Sequence, residues 1–348
     1  MKTPDLYIAG LGVYVPPVMD ARKAVELGLY DAEDHEHHGW TGTAVAGDMT
    51  APDMAVQAAR QARERAGTHP HDLALHIHAC LYRQGPGAWS AQHYILRHLT
   101  DRDIPAYRIE QGCNGLIGSI ELAACYLQAV PERKAALVTG ADNVGAPGFN
   151  RWASLDNGVL GDGASAVVLT KEPGFARVLS VVSGSTAEVE EHFRDEEFPP
   201  VTVPGGGAVD ENRSAAERVQ DEAVSEAVGR QAELRTELAL RAMAEADLDV
   251  SEITRVAHIF TGRKSHLRSI LDPVGLSIDQ GLLEFGRKVG HMTVNDQVVG
   301  LAHLVETRAV SAGDHVLIMA HGGGVSVTCA VIRVEYIPRW ADGGDRTG

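Results

Sequence analysis

Residues 113–143 read CNGLIGSIELAACYLQAVPERKAALVTGADN, and residues 293–324 read TVNDQVVGLAHLVETRAVSAGDHVLIMAHGGG. Laid over one another without a gap, they set Ala129-Val130 on Ala309-Val310 and the strand-like AALVTG on HVLIMA. Each reads as a turn, a helix, a short polar link and a buried strand. An earlier pair, helical APDMAVQAARQARERAG then strand-like LALHIHACL, returns roughly 180 residues later as ELRTELALRAMAEADLD then ITRVAHIFTG. Thr50 and Asp53 look like a capping box for the first of these helices, which stops at Gly67; in the second, Leu234, Leu238, Met243 and Leu248 fall near one face. The chain therefore reads as two similar α/β halves, expected at residues 1–172 and 173–348, whose Val-, Ile- and Leu-rich strands lie between helical layers.

With 348 residues and 44% hydrophobic content, the chain can bury one large core or two fused ones. Its start, MKTPDLYIAGLGVYVPP, lacks a basic segment followed by a long apolar run, and no stretch is long enough to span a bilayer, so a cytoplasmic location is expected. A net charge of −16 argues against nucleic acid or an anionic membrane as a bulk partner, while leaving room for local basic patches. Cys80, Cys113, Cys125 and Cys329 lie far apart, which favours thiols over disulfides or structural zinc. The acidic, glycine-bearing segment 186–230 reads as a surface excursion, or alternatively as a lid or acceptor-binding element.

Cys113 sits between Gly112 and Gly115 at a helix start, where unpaired N–H groups favour thiolate and oxyanion alike. Leu116, Ile117, Ile120, Leu122 and Ala124 after it read as buried, as do the other three cysteines. A nucleophilic thiol needs a base. Among 16 histidines, His291 in VGHMTVNDQVVG stands out because it precedes the turn equivalent to that of Cys113 and is followed five residues on by Asp296. A carboxylate there would fix the imidazole tautomer, with Asn295 as a helix cap; the plainer reading is a loop histidine beside a capping aspartate. If the halves pack about a pseudo-two-fold axis, these two turns face one another.

AHGGGVSVTCAVI places three glycines between strand-like runs, either as a simple connection or as an oxyanion hole in which the Gly324 N–H joins the Cys113 N–H. In GVLGDGASAVVL, Asp162 reads as structural, shaping a turn near the site. His35, His37 and His38 with Asp31 and Asp34 read as solvated residues of a polar loop; neither a metal nor a cofactor is expected. Arg263, Lys264, His266 and Arg268 in TGRKSHLR form a basic cluster, either an exposed helix start or a dock for phosphopantetheine, coenzyme A phosphates or an acidic carrier protein.

Together GCNG before a helix, GDGASAVVL, VGHMTVNDQ and HGGGVSVTCAVI resemble the ketoacyl-acyl-carrier-protein synthase III family of the thiolase superfamily, across nearly the whole chain. The resemblance implies a five-layered αβαβα duplication, a homodimer, acyl loading on Cys113, and oxyanion donors at Cys113 and Gly324. Condensing members carry a histidine after the strand matching VAHIF and an asparagine in a Gly-Asn motif. Here Thr261 or Gly262 falls at the first place and His291 at the second, so the decarboxylating pair is absent. That pattern resembles a tailoring branch with a Cys-His-Asp triad, which Cys113, His291 and Asp296 match residue by residue. It implies acyl transfer from a carrier protein or coenzyme A thioester to a hydroxyl or amine of a sugar, aminocyclitol or similar acceptor, as in antibiotic biosynthesis and polyketide tailoring. Arg263, Lys264 and Arg268 would contact the carrier. Two alternatives stay open: a ketosynthase forming carbon–carbon bonds with His266 as a displaced stand-in, and an inactive ketosynthase-like binding subunit.

Overall fold

The computed structural model describes residues 1–86, 88–145, 149–153, 158–187, 222–322 and 325–342. The first half contains β1 (Tyr7–Tyr14), β2 (Val18–Asp20), α1 (Ala21–Glu26), α2 (Ala32–His38), β3 (Gly42–Ala44), α3 (Ala51–Ala66), β4 (Leu73–Ala79), α4 (Ala91–Arg97), β5 (Ala106–Ile109), α5 (Gly115–Gln128), β6 (Ala135–Asp142) and β7 (Gly163–Thr170). The second contains β8 (Ala176–Ser185), α6 (Glu222–Glu245), β9 (Ile253–Ala257), α7 (Lys264–Leu271), α8 (Leu283–Val289), α9 (Asp296–Glu306), β10 (His315–Gly322) and β11 (Ser326–Val334).

The large sheet runs β5-β4-β6-β7-β1-β8-β11-β10-β9, so β4-β6-β7-β1 is answered across the β1–β8 junction by β9-β10-β11-β8. The internal repeat holds down to register. Leu73 pairs with Ala135 and, after a bulge, Leu75 with Ala136; Ile253 pairs with His315 and, after the same bulge, Arg255 with Val316. Helix α3, a stripe of small residues including Ala55, Ala58, Ala59 and Ala62, packs on the outer face of the first strand group. Helix α6 covers the second group through Leu238, Ala239, Ala242 and Met243. Between the two groups lie α5 and α9, whose Leu116, Ile117, Ile120, Val298, Leu301 and Leu304 share one core with inward residues of both. Helix, sheet, helix, sheet, helix is the five-layered thiolase-like arrangement, and covering a sheet on both faces explains why β6 and β7 are buried along their whole length.

Three details depart from the sequence reading. Leu122 and Cys125, three residues apart and so on one stripe of α5, are exposed rather than core. The Thr50 hydroxyl accepts from the Asp53 N–H as a capping residue should, but the Asp53 carboxylate takes the Thr50 and Tyr94 hydroxyls instead of closing a capping box. His35, His37 and His38 lie on helix α2 rather than in a loop; His38 is buried with Nδ1 3.4 Å from the Tyr30 hydroxyl. Most of segment 186–230 lies outside the described residues. No helix of the described residues is long and apolar enough to cross a membrane.

Candidate active site

Cys113 lies in the turn between β5 and α5, which Gly112 opens with φ of +53° and the Asn114 and Gly115 amides close onto the carbonyls of Gln111 and Gly112. The turn is seated against Gly322 at the end of β10. A Cβ there would fall 2.4 Å from the Cys113 nitrogen and 2.6 Å from that of Asn114. His291 follows α8. Its N–H donates to the Val159 carbonyl and its carbonyl accepts from Gly161 N–H, both at 2.8 Å. Asp162, buried, anchors that neighbouring segment by accepting from the Val144 and Ala46 amides and from both terminal nitrogens of Arg151, the structural role expected of it.

The two turns do meet. Cys113 Sγ is 3.0 Å from His291 Nε2, and His291 Nδ1 is 2.5 Å from Asp296 Oδ2. Asp296 is fully buried and needs its charge compensated. Its Oδ2 also accepts from the Phe260 amide and its Oδ1 from the Met292 amide, each at 2.7 Å, which leaves the carboxylate one orientation. Desolvation pushes the His291 pKa down, but the adjoining Cys113 sulfur and Asp296 carboxylate outweigh it and hold the value well above 6.5. Asn295 is no side-chain cap. Its Oδ1 accepts from the Ser165 hydroxyl and its Nδ2 donates to the Gly163 and Met292 carbonyls, tying the turn to β7.

Where condensing relatives are expected to carry histidine, Thr261 is buried and its hydroxyl lies 3.1 Å from Nδ1 of His266. His258 is buried as well, donating to the Ile259 carbonyl and accepting from the Leu282 amide. Gly324 lies outside the described residues. The basic cluster is divided: Lys264 and Arg268 line a surface cavity of about 430 Å³ with Arg255 and His303, and Arg263 is not part of that lining.

Asp142, Thr293, Arg235 and His321 escaped sequence reading. Under the repeat, Asp142 is the counterpart of Gly322 and Thr293 that of Cys113. Asp142 accepts from the Thr293 hydroxyl at 2.5 Å, while Gly322 supports Cys113, so the pseudo-two-fold contact is made twice with different chemistry. Thr293 is held at φ of +54°, a strained value for a β-branched residue. Burial pushes the Asp142 pKa up to about 7 against the pull of its hydrogen bonds from Thr293, Leu81 and Gln84. A carboxylate ending a buried strand was the available signal. Arg235 and His321 gave none, since each sits in a run that reads as ordinary helix or strand.

Fold and geometry define a thiolase-type α/β protein with a cysteine, a histidine and an aspartate in line. The family models for 3-oxoacyl-acyl-carrier-protein synthase III match residues 107–187, and for its C-terminal part residues 243–334. ChlB3, described as an acyltransferase, has a solved structure that superposes with a TM-score of 0.90 at 40% identity, over 97% of this chain and 100% of that one. The synthase III structure from Aquifex aeolicus gives 0.75 at 20% identity over 94% and 99%, a likeness of fold. Among curated relatives, the synthase III of Sulfurovum sp. is 24% identical over 92% of this chain and 94% of its own. That of Methylococcus capsulatus is 30% identical over 60% and 63%. The chain belongs to the 3-oxoacyl-acyl-carrier-protein synthase III family.

Proposed function

We propose that this protein is an acyltransferase that carries an acyl group, as a thioester on Cys113, from a carrier-protein or coenzyme A thioester to a hydroxyl or amine. The observation that carries the reading is His291 standing between the Cys113 sulfur and the Asp296 carboxylate, where condensing members place an asparagine. The 40% identity to ChlB3 supports it.

His291, whose pKa the neighbouring sulfur and the Asp296 carboxylate raise, takes the proton of Cys113. The thiolate attacks the donor carbonyl, and the Cys113 amide, with that of Gly324, stabilises the oxyanion. Collapse expels the donor thiolate, which takes the proton from His291. Now neutral and oriented by Asp296, His291 accepts the proton of the acceptor hydroxyl or amine as that atom attacks the acyl-cysteine. Departure of the Cys113 thiolate restores the starting pair. Lys264 and Arg268 are available to carrier or coenzyme phosphates, and the open edge at β5, with exposed Tyr107, offers a second copy of the chain a strand to pair with.

Intact-protein mass spectrometry with a panel of acyl thioesters, then a chase with alcohols and amines, tests the reading. Acyl mass on Cys113, lost to ester or amide on the chase, is the expected result. Carbon dioxide release from malonyl thioester with a 3-keto product would make the protein a condensing synthase, and absence of acyl mass from any thioester would make it a binding subunit.

A further inference from the structure

Arg235 on α6 is 5% exposed, yet no carboxylate among the described residues pairs with it. Its Nη2 donates to the Ser269 carbonyl of α7 at 3.3 Å, and its Nε has no partner among the described residues. A guanidinium withdrawn from water without a counter-ion is costly and is ordinarily offset by an anion. Cys329 Sγ reaches the Arg235 backbone carbonyl, and the Arg235 charge acts on two imidazoles, those of His266 and His321. Along β10, Leu317 and Met319 face α6 and α7, and alternation turns His321 to the same side. His321 Nδ1 also lacks a partner among the described residues. His321 is half-buried and His266 on α7 is exposed, so the group reaches from the interior toward the surface. Burial, then the Arg235 charge, then His266, His291 and His258 hold the His321 pKa well below 6.5; it is neutral, and Arg235 is the charge at this spot. Gly322, the residue after His321, packs against the Cys113 turn, which places this group beside the triad.

We propose that Arg235, His266 and His321 form a recess for a carboxylate borne by one of the two substrates, anchoring either the acyl group to be transferred or the acceptor. One guanidinium balances one carboxylate and matches its planar fork, whereas a phosphate dianion would leave excess charge in the same confined space. The inference rests on the acyl-Cys113 reading for its location, but its binding can be tested apart from that reading.

The test compares the intact protein with Arg235→Met and His321→Phe in two arms. In the donor arm, Cys113 loading is timed with a hemisuccinyl thioester and its methyl ester. In the acceptor arm, a preloaded enzyme is chased with 3-hydroxybutyrate and its methyl ester. The carboxylate-bearing partner is expected to lose about tenfold or more in one arm in Arg235→Met, its ester staying within about twofold. The arm that responds identifies the substrate. Charged and neutral partners behaving alike in the wild type, or falling equally in the variant, would overturn the recess. His321→Phe gives the same comparison should Arg235→Met fail to fold. Calorimetric titration with glutarate supplies a readout free of turnover. Binding weakened in both variants supports the recess even if no thioester loads Cys113, and absence of wild-type binding overturns it even if loading succeeds.

Discussion

Asp296 does more for the site than its distance from the imidazole conveys, because its two oxygens are shared among the His291 ring and two backbone amides. Asp296→Asn keeps the volume but turns one acceptor into a donor facing an N–H. Single-turnover transfer from acyl-Cys113 is expected to slow by about a hundredfold or more, while weakened contacts to the Phe260 and Met292 amides lower the melting temperature. Gly322 sets the position of the nucleophile through backbone alone. Gly322→Ala drives a methyl to within 2.6 Å of two amide nitrogens, so acylation of Cys113 is expected to be lost while circular dichroism stays native. Wild-type loading rates in that variant would mean the turn can yield without consequence. Cys113, His291 and Asp296 were legible as residues because the patterns in GCNG and VGHMTVNDQ are local; Arg235 and His321 were not, because lacking a counter-ion among the described residues is a property of packing.

At the scale of elements, the close approach of α3 to β1 depends on absent side chains. A Cβ on Gly12 would lie 1.9 Å from the Ala58 carbonyl oxygen and 2.7 Å from the Ala62 nitrogen, both rigid helix backbone. Gly12→Ala is expected to cost ~1–3 kcal/mol or more, read as a lower urea midpoint with an unchanged slope. Strands β4 and β6 carry a second device. His76 Nε2 and His78 Nδ1 both reach the Thr139 hydroxyl, at 2.9 and 3.0 Å, and burial lowers their pKa values to about 4 and about 3. Below pH ~6.5 the unfolded chain binds protons that these folded histidines refuse, so the stability they contribute is present above that pH and lost as pH falls toward 4 and 3. Asp142 acts oppositely: with a folded value near 7 against 3.8, it favours the folded state at low pH and costs stability as pH rises through that window. A His76→Asn, His78→Asn double variant should flatten the acid limb of the urea midpoint against pH. An unaltered limb would remove this pair as its cause.

Across the whole molecule, the halves are joined by more than a repeat. The core between the sheets draws on α5 from one half and α9 from the other, and the thiol and its base come from opposite sides of that layer. A fragment of residues 1–172 would leave the inner face of α5 and the β1 edge uncovered. It is therefore expected to bind a hydrophobic dye and show weak chemical-shift dispersion, in contrast to the full chain. A well-dispersed spectrum from the fragment would show that each half has a sufficient core of its own.

The amino-acid sequence carried the internal repeat and, through side-chain periodicity, strands lying between helical layers; the spacing of that repeat survives in the structure down to a shared bulge. It also determined which cysteine, histidine and aspartate could act together. Tertiary structure decided the 3.0 Å approach of sulfur to imidazole, the exposure of Cys125, and the burial of Arg235. These depend on how faces distant in the chain are pressed together, and local periodicity carries no measure of that distance or of the charges enclosed with it.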